Sequence, residues 1–230
     1  MNFPDLRVRL MTAIVLWLVL GLWLYFSMEN PLVFPIGLII MASICLYEWF
    51  RMGVGKSIPL RMAGAAIIGF GFWTCHRMVN VNYRDYGELI AYFVLIMSLG
   101  PITDMAAYFG GRLMGGPKLC PAISPSKTWA GFLSAVIGVP MLAFLYLISY
   151  TLFPLPTILY YTLVIGFLCL AAQTGDLLES WAKRQFGVKD SGSWLPGHGG
   201  LLDRLDSILA IAIALFLFEH IPPLLQGRIG

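Results

Sequence analysis

The chain has 230 residues, of which 59% are hydrophobic and only 12% are charged, and its formal net charge is +3. Soluble domains carry roughly 25% charged residues, so this composition, with a mean hydropathy of +0.80, excludes an ordinary soluble globular domain. The small positive charge arises from an uneven distribution of Lys and Arg between loops and does not indicate nucleic-acid binding.

Apolar stretches recur along the whole chain, and a helix needs about 20 apolar residues to cross the hydrocarbon of a bilayer. The sequence therefore predicts an all-α, polytopic integral membrane protein with about seven transmembrane helices. The third stretch is the shortest and carries Arg61 at its edge. The predicted spans are 11–28, 31–49, 60–75, 87–103, 129–153, 154–175 and 201–222.

The distribution of basic residues predicts the orientation of these spans. Lys and Arg in short loops collect on the cytoplasmic side. With seven spans and a cytoplasmic N-terminus, twelve basic residues lie inside and three outside. This arrangement places the loops 110–128 and 176–202 in the cytoplasm, and the first apolar stretch is expected to be a retained helix rather than a cleaved signal.

Polar side chains are concentrated in the second half of the chain. Residues 1–100 are predicted to be N-terminal transmembrane scaffold helices and residues 101–230 the catalytic region, within one continuous membrane domain. The four cysteines, Cys45, Cys75, Cys120 and Cys169, lack the spacing of a metal site, and a disulfide framework is not expected.

The first polar island covers residues 104–128. "DMAAYFGGRLMGG" places Asp104 and Arg112 around a predicted glycine-rich exit from the fourth span. "ISPSKTW" then places hydroxyl groups and one ammonium group at the start of the fifth span, where free backbone amides favour an anion. Ordinary helix capping is the simpler interpretation of this second motif. Its polar residues are Ser124, Ser126, Lys127 and Thr128.

The second polar island begins at the end of the sixth span, with Asp176, Glu179 and Lys183 on one helical face. Glu179 and Lys183 are four residues apart, so they can form an ion pair at a solvated helix end. Asp176 lies closer to the hydrocarbon, where an uncompensated acid costs a few kcal/mol.

The seventh span opens with two carboxylates, Asp203 and Asp206, three residues apart on one face. Adjacent carboxylates disfavour each other's ionisation, and a divalent cation shared with Asp176 resolves the conflict. Oxygen ligands favour Mg²⁺. In the structural alternative, these acids pair with Lys183, Arg184 and Arg204 and lock the helices together.

Between the two acidic clusters, "SGSWLPGHGG" predicts a folded-back loop whose backbone amides can approach a phosphate closely. His198 stands between glycines and has no helix face to pack on. A ligand-binding role is therefore predicted for it.

These motifs together resemble the signature of the phosphatidate cytidylyltransferases, or CDP-diacylglycerol synthases. The resemblance rests on "SWAKRQFGVKDSGSWLPGHGGLLDRLD" (180–206), with "QTGDLLES", "SPSKT" and "DMAAYFGGR". It covers most of the second half of the chain. One departure is Ala130, which stands where the family's Ser-Pro-x-Lys-Thr-x-Glu-Gly motif has Glu.

The resemblance implies an integral membrane enzyme that joins CTP to phosphatidate and releases pyrophosphate, at the cytoplasmic face of a bacterial inner membrane. Mg²⁺ is the expected cofactor, held by Asp176, Asp203 and Asp206; a second cation and a homodimer are left open. Asp176, Lys183, Asp203 and Asp206 are the predicted catalytic residues. The predicted substrate-binding residues are Asp104, Arg112, Ser124, Ser126, Lys127, Thr128, Lys189, Asp190, His198 and Arg204.

Three alternatives remain at this point. A diverged member of the family would act on another lipid phosphate. A transporter would use the acids as an ion or proton path, but polar groups crowd towards one face here. A CTP-dependent polyprenol kinase would transfer a phosphoryl group to a hydroxyl.

Overall fold

The computed structural model describes residues 3–30, 32–81, 86–197 and 199–219. The chain is mostly helical, with one short two-stranded hairpin. Its elements are α1 (Phe3–Glu29), α2 (Val33–Met52), α3 (Ile58–Val81), α4 (Tyr86–Met114), β1 (Lys118–Cys120), β2 (Ser124–Thr128), α5 (Trp129–Leu133), a π-helical turn (Ser134–Gly138), α6 (Val139–Tyr150), α7 (Leu155–Phe186) and α8 (Leu202–Glu219).

The helices follow the seven predicted apolar stretches. Among the described residues, five helical segments are long and apolar enough to cross a membrane by length and composition: Leu10–Glu29, Val33–Met52, Ile58–Arg77, Trp129–Tyr150 and Leu155–Phe186. The predicted fourth and seventh spans lie in α4 and α8. Their crossing of the bilayer stays a prediction, as does the cytoplasmic position of the N-terminus.

The strands β1 and β2 form an antiparallel hairpin, with Lys118 opposite Thr128 and Cys120 opposite Ser124. An all-α prediction missed this hairpin, since its strands are short and contain Pro125 rather than an alternation of apolar and polar residues. The hairpin leads directly into α5, where the Thr128 hydroxyl accepts a hydrogen bond from the amide of Gly131 at 3.1 Å. Thr128 is therefore the N-cap of this helix.

Helix α4 extends well beyond the predicted span. It continues through Gly110 and Gly111 to Met114, and Gly115 and Gly116, with φ of 65° and 93°, follow its last residue. An added Cβ at Gly110 would overlap the Ser134 side chain, and one at Gly111 would lie 2.8 Å from Thr128 Oγ1. The two glycines instead allow α4 to pack closely against the hairpin and the fifth span.

Helix α7 has 32 residues and is therefore about 48 Å long at 1.5 Å per residue, compared with a hydrocarbon thickness of about 30 Å. Its final turns, from Asp176 onward, extend past a 20-residue span. The helix ends at Gly187, whose φ of 76° is in the left-handed region that favours glycine.

Two hydrophobic cores hold the bundle together. One joins residues of α2, α3, α7 and α8, including Trp49 and Phe186. The other joins α4, α6, α7 and α8, including Cys169 and Ile211. Both cores share α7 and α8, so these two helices connect the N-terminal and C-terminal halves. The division at residue 100 stays a prediction, and all four cysteines are free thiols.

Candidate active site

An open cavity of about 480 Å³ lies where α4, the hairpin, α5 and α7 meet. Six of the predicted site residues contribute to its wall. They are Asp104, Arg112, Ser126, Lys127, Thr128 and Asp176. Tyr108, Lys118 and Gln173 also line it; the sequence analysis did not single these out, although all three lie in or beside its polar islands.

A chain of polar contacts crosses this cavity. Lys127 Nζ lies 2.6 Å from Asp176 Oδ2 and 3.5 Å from Gln173 Oε1. The amide nitrogen of Gln173 in turn donates to Asp104 Oδ1 at 3.3 Å. Gln173 is 1% exposed. Its buried side-chain amide therefore contacts both Lys127 of β2 and Asp104 of α4, close to Asp176.

Two further cations line the cavity. Arg112 Nη1 donates to the Tyr108 hydroxyl at 2.7 Å, and its guanidinium lies 6.0 Å from the centre of that ring. Lys118 contributes from β1, opposite Thr128. The cavity thus combines three cationic side chains with two carboxylates, a wall suited to a polyphosphate accompanied by a metal.

Close backbone packing shapes the cavity. The Cα of Gly131 lies against α4, where an added Cβ would be 2.5 Å from the backbone carbonyl oxygen of Ala107. Because a backbone atom cannot rotate away, this position requires glycine. Ala130, the departure from the family motif, is not among the residues that line the cavity.

Asp203, in the first turn of α8, is surrounded by protein donors. Its Oδ1 accepts from Lys183 Nζ at 2.7 Å, and its Oδ2 accepts from the amide of Gly200 at 2.8 Å. The amide of Ser191 lies 3.1 Å and 3.0 Å from the two oxygens. Asp203 therefore fastens the loop between α7 and α8 to both helices, as the structural alternative from the sequence proposes.

Lys183 also pairs with Glu179 on its own helix, as the four-residue spacing predicts. The side chains of Glu179, Lys183 and Asp203 are 8%, 11% and 9% exposed. One ammonium group is thus shared by two shielded carboxylates. The catalytic role predicted for Lys183 stays a prediction, while the contacts give it a role in holding α7 to α8.

Asp206 stands between these two groups of residues. It interacts electrostatically with Asp176 and Asp104 of the cavity and with Lys183 of the buried ion pair. One of its oxygens accepts from the amide of Ser207 at 2.7 Å. Asp104, Asp176 and Asp206 therefore repel one another, whereas Lys127 forms an ion pair with Asp176 and interacts favourably with Asp104.

The remaining predicted residues that the structure describes do not line the cavity. Lys189, Asp190 and Arg204 are exposed, and Ser124 is half-buried at the start of β2. Arg204 interacts electrostatically with Asp104. His198 lies outside the described residues.

The loop between α7 and α8 is folded back on itself. The amide of Leu195 donates to the carbonyl oxygen of Gly199 at 3.0 Å, and Gly197 and Gly199 have φ of 75° and 85°. This matches the predicted fold of the loop. The amides of Ser191 and Gly200, however, donate to the carboxylate of Asp203. These two amides therefore bind a side chain of the protein rather than a phosphate.

The loop between α7 and α8 is also held by a buried acid that was not among the predicted site residues. Glu48 in α2 is 1% exposed, and it accepts hydrogen bonds from the loop and from the start of α8. The sequence did indicate this residue, because a single carboxylate within the apolar stretch "ICLYEWF" is costly in a membrane unless it binds a partner or has a function.

No three side chains of His, Cys, Asp or Glu in the described ranges lie close enough together to hold a metal ion. The oxygen donors nonetheless suit Mg²⁺ in kind, since it prefers oxygen ligands such as carboxylates, and Asp206 interacts unfavourably with Asp176 and Asp104. Asp203 differs from them, because both of its oxygens are already engaged.

Comparison with known proteins agrees with this chemistry. A family model described as the cytidylyltransferase family matches residues 56–221. A phosphatidate cytidylyltransferase of Brucella suis biovar 1 is 49% identical over 163 residues, which is 69% of this chain and 56% of that protein. One from Rickettsia bellii is 34% identical over 222 residues, which is 94% of this chain and 91% of that protein. The chain thus spans little more than half the length of the Brucella relative.

Proposed function

The chain belongs to the cytidylyltransferase family, and on that premise we propose that it is a nucleotidyltransferase that makes CDP-diacylglycerol from CTP and phosphatidate. The names of its relatives support this activity. The observation that carries the proposal is the cavity, because its three cations and two carboxylates fit a nucleoside triphosphate. Its position at the ends of membrane-type helices fits a lipid as the second substrate.

The reaction needs positioning and charge compensation more than acid–base catalysis. A phosphate oxygen of phosphatidate attacks the α-phosphorus of CTP, and the bond between that phosphorus and the α–β bridging oxygen breaks. Pyrophosphate leaves with the electron pair. Since a phosphomonoester already carries nucleophilic oxygens at neutral pH, no side chain has to remove a proton.

The cationic side chains supply this compensation. Lys127, at the centre of the cavity, is proposed to exchange its contact with Asp176 for a phosphate of CTP. Arg112 and Lys118 also line the cavity, where they would bind the β- and γ-phosphates or the lipid headgroup. Each such contact strengthens as charge develops on the leaving group.

Mg²⁺ is proposed to bind at Asp176 and Asp206, whose mutual repulsion favours a cation. When bound, it would offset the negative charge of the α-phosphate and of the leaving pyrophosphate. Asp203 remains a predicted ligand from the sequence, and its contacts here support a role in holding the loop. We propose that the site lies at the cytoplasmic face of the membrane, and this proposal rests only on the basic residues of the loops.

The decisive experiment is incubation of the purified protein in detergent with CTP, Mg²⁺ and phosphatidate, followed by mass measurement of the lipid. We expect CDP-diacylglycerol and an equal amount of pyrophosphate. Asp176→Asn should lower the rate by at least about a hundredfold. Glu29→Gln, an exposed acid at the end of α1, should retain the wild-type rate.

Other products would decide against this assignment. CDP with a phosphorylated polyprenol, when polyprenol is supplied, would identify a kinase. A CDP-linked product from a different lipid phosphate would identify a diverged substrate. A folded protein that releases no pyrophosphate with any of these lipids would refute the enzymatic assignment.

A further inference from the structure

Glu48 connects the N-terminal half of the chain to the loop that precedes α8. Its Oε1 accepts from the amide of Leu201 at 3.0 Å, and its Oε2 accepts from the amide of Leu202 at 2.8 Å. Oε2 also accepts from the Ser191 hydroxyl at 3.2 Å. One side chain of α2 therefore uses both oxygens on residues more than 140 positions away.

Two glycines of the loop, Gly192 and Gly200, lie against the carboxylate of Glu48. An added Cβ at Gly192 would lie 2.5 Å from Glu48 Oε1, and one at Gly200 would lie 2.7 Å from both oxygens. The two glycines thus leave the space that the carboxylate fills. Since Glu48 is 1% exposed, these hydrogen bonds are shielded from water and each is costly to lose.

The contacts of Glu48 bear on the orientation of α8. Leu202 is the first residue of this helix, so Glu48 binds free amides of its N-terminus, where a negative charge is favoured. Asp203 and Asp206 follow within the same turn of helix. Glu48 therefore contacts the end of α8 that carries Asp203 and Asp206.

Ser191 links Glu48 to the other acid of the loop. Its hydroxyl donates to Glu48 while its amide donates to Asp203, and Asp203 accepts in turn from Lys183 on α7. A continuous network thus runs from α2 through the loop to α8 and α7. Ser191 is thus bound by two carboxylates, that of Glu48 from the N-terminal half of the chain and that of Asp203 from the C-terminal half.

We infer that Glu48 is a positioning residue for the reaction: it holds the loop and the first turn of α8 so that Asp206 faces Asp176. This inference rests on the proposed function. Positioning partners of this kind typically change metal affinity or activity by about 10- to 100-fold when they are mutated.

The test uses Glu48→Gln in the full chain. The amide keeps the shape of the side chain but offers one acceptor oxygen, so Leu201 or Leu202 loses its partner. We expect hydrogen exchange at these two amides to accelerate at least about tenfold. With CTP and phosphatidate, we expect kcat to fall about 10- to 100-fold and the Mg²⁺ concentration for half-maximal rate to rise.

Thr74→Val is the matched control. Thr74 is also fully buried, and its hydroxyl donates to Gly71 of its own helix, far from the loop in the chain. It should lower the unfolding temperature without changing the Mg²⁺ dependence. Ser191→Ala, which removes only the hydroxyl donated to Glu48, serves if Glu48→Gln fails to fold, and it should shift exchange and kcat in the same direction.

Two results would overturn the inference. One is wild-type exchange at Leu201 and Leu202 in Glu48→Gln. The other is a loss of activity that follows only the folded fraction, as for Thr74→Val, with unchanged Mg²⁺ dependence. If wild-type protein makes no CDP-diacylglycerol, the proposed function fails, whereas the exchange comparison still decides whether Glu48 holds the loop.

Discussion

Replacing Lys183 with Met tests how α7 is held to α8. Met retains most of the length of the side chain but removes the ammonium group that contacts Glu179 and Asp203. Because the three side chains are 11% exposed or less, two carboxylates would be left shielded from water without a counterion.

The burial of the ion pairs of Lys183 determines how much stability the substitution removes. Removing one partner of a buried ion pair costs about 3–5 kcal/mol. For a chain of this length, each kcal/mol lowers the unfolding temperature by about 2–4 °C. Lys183→Met should therefore unfold about 6–20 °C below the wild type, as followed by tryptophan fluorescence during heating in detergent.

Two further variants separate this cause from a general effect of the substitution. Lys56→Met alters an exposed lysine in the loop between α2 and α3 and should leave the unfolding temperature unchanged. Lys183→Met combined with Glu179→Gln removes one of the stranded charges and should recover part of the loss. If Lys183→Met lowers the unfolding temperature no more than Lys56→Met does, the buried charge network does not stabilise the helix pair.

Two other substitutions probe the cavity and its helices. In Gly175→Ala, the added Cβ would lie 2.4 Å from the Cβ of Ala210 and 3.0 Å from the backbone carbonyl oxygen of Asp206, so α7 and α8 must separate. We expect a loss of about 1–3 kcal/mol in thermal unfolding and a lower rate. Gly69→Ala, where an added Cβ meets nothing within 4 Å, is its control, and equal losses in the two would contradict the packing argument. Lys127→Met should lower kcat/KM for CTP about 10²- to 10³-fold, and an unchanged value would show that no phosphate binds beside Asp176.

The helices were predictable from local sequence because each membrane-type helix satisfies its own backbone hydrogen bonds. Hydropathy alone therefore indicated the helical segments of the described residues, although it did not locate the end of α4. The helix ends at Met114 before Gly115 and Gly116, which have positive φ, whereas the close contacts of Gly110 and Gly111 to Ser134 and Thr128 belong to the packed structure. The short hairpin was missed for the same reason, since its strands pair with each other and continue into α5 rather than follow a periodic pattern.

The polar islands were also predictable, because charged residues in an apolar chain persist only where they are used or solvated. The sequence indicated that Glu179 and Lys183 pair, since four residues along a helix make neighbours. For Asp203, 20 residues later, it offered three cationic partners as the structural alternative, and it did not indicate that Lys183 would be the one. That contact depends on how far the loop folds back.

By itself, the sequence determined the membrane class of the protein, its helices and the family to which its motifs belong, because these follow from composition and from residues close together in the chain. Only the tertiary structure decided which acids share a cation or a backbone donor. Glu48 is the clearest case: nothing in "ICLYEWF" names its partners, because they lie 143 to 154 residues away and meet it through the faces on which α2 and α8 pack.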